Sequence, residues 1–465
     1  MKEAKRRNPD IKLYGLSWAV PGWIGNGSFY SGDDNINYHI KWLEGAQSAH
    51  NLTIDYLGIW NERNYDAGWI IRLRQALDSS GHDHVTIVAA DTSFGVCNDF
   101  VKNKTLADAI GIVGAHYPIT STTPGPMPDS CHQLNKPLWT SEGWNLGMVN
   151  DFNGALNLAQ TINYNWILQE QTAMVVWTVI YAWYSILPFA HPDARDPIGG
   201  MGHGLMSADE PWGGHYRIMS PLYVLAHTTQ YVSPGCMYIQ SDQVMGGGIL
   251  NNSASMVAFA CEEQGTVTIV VETSEASAGP LQLSAKVTMP AWAAEKTMHL
   301  RETCEKSWFM AKDELLTVER DKPALGGQNV EISALTVVSV TATLQPKCVY
   351  TISTSTGQSA VPAASPTIPP PKSFPFPYKD TFDANGYKDQ GTVKYFTDQG
   401  GSFNAAQGPQ VAAGIETASG GMALHQVVDT RPIEWGHNPD PVTIAGAVAS
   451  VLLCYFTCYG TRCSI

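Results

Sequence analysis

The first 180 residues alternate two periodicities, and that alternation most constrains the fold. Short apolar runs at 11–18, 53–60, 84–90, 112–116, 137–141 and 173–182 read as buried strands. Between or before them, segments at 2–8, 38–50, 67–79, 98–109 and 154–170 carry the helical period. Strands that are apolar throughout and separated by amphipathic helices belong to a parallel sheet covered on its faces. Six such strands fall short of the eight that close a (β/α)8 barrel. The expectation is a TIM-type barrel lacking its first two strands, with 11–18 as its third strand and two unpaired edges.

Two carboxylates stand out against this pattern. Glu62, in Gly58-Ile59-Trp60-Asn61-Glu62-Arg63-Asn64, and Glu142, in Leu138-Trp139-Thr140-Ser141-Glu142-Gly143-Trp144-Asn145, each follow an apolar strand-type run. Counted from a third strand at 11–18, they fall after strands four and seven, at the barrel end where this fold keeps its chemistry. A lone Glu after a strand is ordinarily a solvated loop or capping residue. Two in matching settings fit hydrolysis of a glycosidic bond, which needs one carboxyl to protonate the leaving oxygen and another to attack the anomeric carbon or activate water. Asn61 is suited to hydrogen-bond a sugar 2-hydroxyl.

Composition narrows the class. A chain of 465 residues, 44% hydrophobic and 15% charged, can bury more than one core. A net charge of −14 leaves no basic face for a phosphate backbone, so nucleic acid is excluded as a partner. Nine cysteines show no CxxC pair, and their odd number leaves at least one unpaired. Sequons begin at Asn26, Asn51, Asn103 and Asn251, yet Met1 opens on a charged helical segment where a secretory leader would be apolar. The protein is then either cytosolic or missing its true beginning.

From about Gly235 the pattern changes to short β segments such as Met256–Ala260, Thr266–Val271 and Leu335–Val340, which predict a β-sandwich. The expected division is a barrel over 1–234, a sandwich over 235–352, a Pro/Ser-rich linker over 353–377 and a partial β domain over 378–465. The apolar run 445–455 is too short for a convincing membrane span, so no transmembrane anchor is expected.

Several segments together resemble the galactocerebrosidase family of glycoside hydrolases. They are Gly15-Leu16-Ser17-Trp18-Ala19-Val20-Pro21-Gly22-Trp23, Trp60-Asn61-Glu62-Arg63, Ile112-Val113-Gly114-Ala115-His116-Tyr117-Pro118, 204–212, 226–230 and Arg431-Pro432-Ile433-Glu434-Trp435. The resemblance implies a retaining β-galactosidase acting on galactosylceramide in the lysosome, a saposin-type lipid-presenting partner, a lectin-like character for 378–465, and no cofactor or metal. Carried over, Glu62 resembles the family's proton donor, Glu142 its nucleophile, and Asn61 and Trp18 its galactose contacts. Trp177 reads equally as a sugar platform or a core residue. His116 could hydrogen-bond the nucleophile or be a structural His, and Glu210 reads as a structural carboxylate near the rim. The chain departs from the family in lacking a counterpart to its first two strands with their substrate-contacting Thr. No Arg stands in 272–280, where the family sets one against galactose, and the resemblance fades after Ala445. A fragment without catalysis, a sugar-binding protein, or a retaining glycosidase for another sugar are the alternatives.

Overall fold

The computed structural model describes residues 1–119, 127–133, 135–144, 149–181, 204–208, 211–239, 244–245, 248–250, 254–276, 279–290, 293, 295–320, 335–357, 367–373, 377, 403–407, 422–426 and 433–434. Its first half is a parallel sheet. Strands β1 (Tyr14–Ser17), β2 (Tyr56–Trp60), β3 (Thr86–Asp91), β4 (Ile112–His116), β5 (Leu138–Gly143) and β6 (Ala173–Val176) lie side by side in sequence order. Every neighbouring pair is parallel.

Helices α1 (Lys2–Arg7), α2 (Asp34–His50), α3 (Ala67–Ser79), α4 (Lys104–Ala109) and α5 (Phe152–Gln169) precede or connect the strands. Helix α1 buries nothing. Helix α3 starts where the Asp66 carboxylate accepts the Trp69 N–H at 2.7 Å, and Trp69, Ile70, Leu73 and Leu77 form its buried stripe. The expected helix over 98–109 is in fact broken. A short turn at Cys97–Phe100 ends before Asn103, whose side chain accepts the Leu106 N–H at 3.0 Å and starts α4 afresh. The expected strand over 173–182 also divides, because Ile180–Tyr181 leaves β6 and pairs in parallel with Met206–Ser207.

The sheet curls. Five strand spacings separate β1 from β6, roughly 24 Å if the sheet were flat. Yet Trp18, just past β1, and Trp177, just past β6, bring their rings to 6.2 Å between centroids. The C-terminal rim therefore bends round on itself as in a TIM-like barrel. Close packing inside requires Gly114 on β4, where a Cβ would lie 2.7 Å from Val88 Cγ1 and 2.8 Å from Ser141 Oγ.

Beyond residue 236 two antiparallel sheets share one core. One centres on Ala254–Cys261, Thr266–Glu272, Cys348–Ser353 and His299–Cys304, the other on Leu281–Pro290 and Leu335–Leu344. Along Ala254–Cys261 the period of two divides the contacts. Met256, Ala258 and Ala260 face the second sheet, while Val257 and Phe259 meet Ala155, Leu156 and Ala159 of α5 and Val224 of helix α6 (Ser220–Thr229). Both faces are covered, so every residue of this strand is buried.

Disulfides join Cys97 to Cys131, Cys236 to Cys261 and Cys304 to Cys348. In the Pro-rich segment, residues 367–373 lie on the turn at Pro211–Gly213. Trp212 Nε1 donates to the Lys372 carbonyl at 2.5 Å and His215 Nδ1 lies 2.7 Å from the Pro369 carbonyl. Residues Ile433–Glu434 pair antiparallel with Ala19–Val20, immediately after Trp18. Glu210, the run 445–455 and most of 378–465 lie outside the described residues. Among the described residues no helix is long and apolar enough to cross a membrane.

Candidate active site

The C-terminal ends of β2, β3, β4 and β5 each deliver a polar side chain to one place. Glu62 stands two residues past β2, Asp91 and His116 close β3 and β4, and Glu142 is the penultimate residue of β5, in register with His116. The nearest ligand atoms of Glu62, His116 and Glu142 all lie within 4.8 Å of one another. Three non-glycine residues at this rim have left-handed backbone, Glu62 (φ 49°), Asp91 (φ 72°) and Tyr117 (φ 44°). Such conformations cost on the order of 1–3 kcal/mol each and persist only where surroundings enforce them, which is commonly at functional sites.

His116 is the electrostatic centre. Its side chain is 3% exposed and sits among three carboxylates. Nδ1 is 3.2 Å from Glu62 Oε1 and 3.9 Å from Glu142 Oε1, and Nε2 is 2.6 Å from Asp91 Oδ1. That last contact is an ion pair whose angle departs from a well-formed hydrogen bond, since Nε2 and Oδ1 have no aligned partner. Burial opposes a charge on the ring, but Asp91 and Glu62 outweigh it and raise His116 to about 9. The imidazole is therefore a cation at neutral pH, held nearest to Glu62 and Asp91. Glu62, His116 and Glu142 could together reach a metal ion. A ring facing carboxylates through both nitrogens, and held charged by them, is better matched to an internal ion network.

Glu142 is the more enclosed carboxylate, with its side chain 11% exposed against 31% for Glu62. Burial raises its pKa. The charged His116 and the Tyr117 hydroxyl, which donates to Glu142 Oε1 at 3.1 Å, act in the opposite direction. Backbone bonds fix this corner, as the Tyr117 N–H donates to the Glu142 carbonyl and the Trp177 N–H to the Gly143 carbonyl, both at 2.9 Å.

The remaining sequence candidates divide. Trp18 is 40% exposed and Trp177 half-buried, and their rings, inclined at 30°, form an aromatic pair at the rim. The tryptophans beside the two Glu residues are core instead. Trp60 stacks on Phe29 at 4.4 Å and 3°, and Trp144 packs with Leu158, Ile162 and Leu205. Asn61 is fully buried, and neither its Oδ1 nor its Nδ2 has a hydrogen-bond partner among the described residues. Sequence reasoning missed Asp91 and Tyr117. Asp91 carries the same signal as the two Glu residues, an acid closing an apolar strand, and lies one residue beyond the expected strand 84–90. Tyr117 directly follows His116 in a segment already singled out.

A parallel β/α sheet with paired carboxylates at its strand ends is the architecture of a glycoside hydrolase, and comparison with known proteins places the chain in that class. Residues 1–230 match glycosyl hydrolase family 59, and the chain belongs to that family. It is 34% identical over 452 residues to the galactocerebrosidase of Danio rerio, an alignment covering 95% of this chain and 62% of that protein. To the galactocerebrosidase of Homo sapiens it is 31% identical over 461 residues, covering 94% and 60%. The chain thus spans about three-fifths of the length of these relatives. Among solved structures, the glycoside hydrolase family 30 subfamily 8 xylanase of Clostridium acetobutylicum is similar in fold. The TM-score is 0.52 at 13% identity, over 75% of this chain and 81% of that one.

Proposed function

We propose that this protein is a retaining β-galactosidase that removes galactose from galactosylceramide and related galactolipids by double displacement. The observation that carries this reading is the approach of Glu62 and Glu142 at the strand ends, where one carboxylate oxygen of each lies within 4.8 Å of the other. Retaining pairs sit about 5–5.5 Å apart, whereas inverting pairs need roughly 6.5–9.5 Å to admit a water. Galactose as the sugar, and a sphingolipid as its carrier, are supported by the galactocerebrosidase relatives.

The roles follow the resemblance to the galactocerebrosidase family and the difference in exposure. Glu142, the more enclosed carboxylate and the one bonded by the Tyr117 hydroxyl, is the nucleophile. It attacks the anomeric carbon while Glu62 gives its proton to the departing glycosidic oxygen, leaving a galactosyl ester on Glu142. Glu62, left as a carboxylate by that transfer, then serves as base. It takes a proton from water, the water oxygen attacks the anomeric carbon, and Glu142 leaves as carboxylate. The more open Glu62 is the one able to exchange protons with solvent between steps. Trp18 and Trp177 offer an aromatic face to the sugar ring, and Asn61 is the residue assigned to its 2-hydroxyl.

In the same reading, residues 1–234 form the catalytic barrel, 235–352 a β-sandwich, 353–377 a linker and 378–465 part of a lectin-like domain. Three disulfides support maturation in an oxidising compartment, compatible with delivery to the lysosome. A saposin-type protein would present the lipid. The test is proton NMR of a β-galactoside during hydrolysis, together with Glu62→Gln. The first-formed sugar should be the β-anomer. Glu62→Gln should cut kcat/KM for an alkyl galactoside by about 10²–10⁴-fold and for a 4-nitrophenyl galactoside far less, because a good leaving group needs little protonation. An α-anomer product, or equal losses on both substrates, would refute the assignment.

A further inference from the structure

Asp91 takes no part in the mechanism above, yet it is 1% exposed and touches two of its members. Its Oδ2 accepts the backbone N–H of Glu62 at 2.5 Å, and its Oδ1 faces His116 Nε2 at 2.6 Å. The first contact anchors the backbone of Glu62 in its left-handed conformation. The second clamps the imidazole whose other nitrogen meets the Glu62 carboxylate at 3.2 Å. One buried aspartate thus grips Glu62 from both ends, through the main chain directly and through the side chain by way of His116.

We propose that Asp91 is a positioning residue that holds the acid/base carboxyl of Glu62 in the geometry needed for proton transfer. This deepens the galactosidase reading and rests on Glu62 being the acid/base. The other groups facing this network are the Glu62 carboxylate from β2, Tyr117 from β4 and Glu142 from β5. Tyr14 of β1 and Tyr30 also feel the Asp91 charge and are driven upward in pKa, chiefly by burial, so both stay neutral phenols. His116 is the cation within this set, and Asp91 is its closest acidic partner. Removing the Asp91 charge leaves burial opposed by Glu62 and Glu142 alone, so the ring moves toward neutrality and loses the clamp that aims it at the Glu62 carboxyl.

The test is Asp91→Asn, nearly isosteric and without the charge. Misplacing a catalytic group by about 1 Å costs on the order of 10²-fold. We expect kcat/KM for octyl β-galactoside to fall by about that factor, while 4-nitrophenyl β-galactoside loses less than about tenfold. Azide should raise kcat on the nitrophenyl substrate by relieving the step that needs Glu62 as base. With histidine labelled at Cε1, the His116 midpoint should fall by more than one pH unit in the variant. A merely structural Asp91 would lower kcat/KM equally on both substrates and leave azide without effect, and that result overturns the proposal. So does an unmoved His116 midpoint. Should Asp91→Asn not fold, Asp91→Glu keeps the charge but displaces the carboxylate. It should retain the alkaline His116 midpoint and still lose the octyl substrate selectively, and equal losses would again overturn the proposal. If the unaltered protein hydrolyses neither galactoside, the premise fails and the proposal with it. That outcome is distinguishable because the His116 titration needs no substrate.

Discussion

Removing the charge at His116 should cost stability in a definite pH window. The folded protein holds this ring at about 9 against an ordinary 6.5, and the side chain is only 3% exposed, so solvent screening is slight. A displacement of that size corresponds to roughly 3 kcal/mol in favour of the folded state. The group's folded value lies above its unfolded one, so the contribution is fully present below about pH 6.5 and is lost as pH rises through about 9. His116→Asn should therefore unfold at lower urea than the unaltered protein at pH 6. The gap should be about 3 kcal/mol, of the order measured when one partner of a buried ion pair is removed. By pH 9.5 it should have largely closed. Tryptophan fluorescence on paired urea titrations between pH 6 and 9.5 measures it, and the difference between the two proteins cancels groups that titrate in both. A gap independent of pH would mean that His116 is neutral in the folded state and that the ion network is misread.

Three further outcomes follow from local structure. Glu272 is fully buried and its pKa is raised by burial, so its ionisation opposes folding above its unfolded value of 4.5. Glu272→Gln should be more stable than the parent at pH 7, with the advantage vanishing below about pH 4.5, as read by thermal melts across pH. Asp66→Ala removes the α3 cap and should cost about 0.5–2 kcal/mol in urea unfolding, whereas Asp66→Asn should cost much less. Gly114→Ala drives a methyl against Val88 and Ser141 and should destabilise the sheet by about 1–3 kcal/mol, measured the same way.

Much of the barrel-like half was legible because its signals are local. An apolar run flanked by polar turns marks β2, β3 and β5 whatever surrounds them, and position alone singles out Glu62 after β2 and Glu142 in β5, though not Asp91 at the end of β3. The misses arose where a partner distant in sequence decides the outcome. The break before α4 depends on Asn103 capping Leu106, a choice the helical period does not reveal. Ile180–Tyr181 leaves the main sheet because Met206–Ser207 supplies a different partner. His116 offered a choice between a backbone-bonded ring and a hydrogen bond to the nucleophile. Its nearer carboxylates are instead Glu62 and Asp91, which stand at the ends of the two preceding strands, β2 and β3. The burial of both faces of Ala254–Cys261 likewise needs α5 and α6, from a different part of the chain, to cover the outer side.

The reaction itself is tested most directly by trapping its intermediate. Incubation with 2,4-dinitrophenyl 2-deoxy-2-fluoro-β-galactoside should release one dinitrophenol per chain, because the 2-fluoro group slows both steps while the dinitrophenolate leaving group restores the first. The protein mass should rise by one fluorogalactosyl group, and peptide sequencing should place it on Glu142. Glu142→Gln should take up no label, while Glu62→Gln should still take it up from this activated donor. Labelling of any other residue, or turnover with no covalent adduct and an α-anomer product, would contradict the assignment of Glu142 as nucleophile and of Glu62 as its acid/base partner.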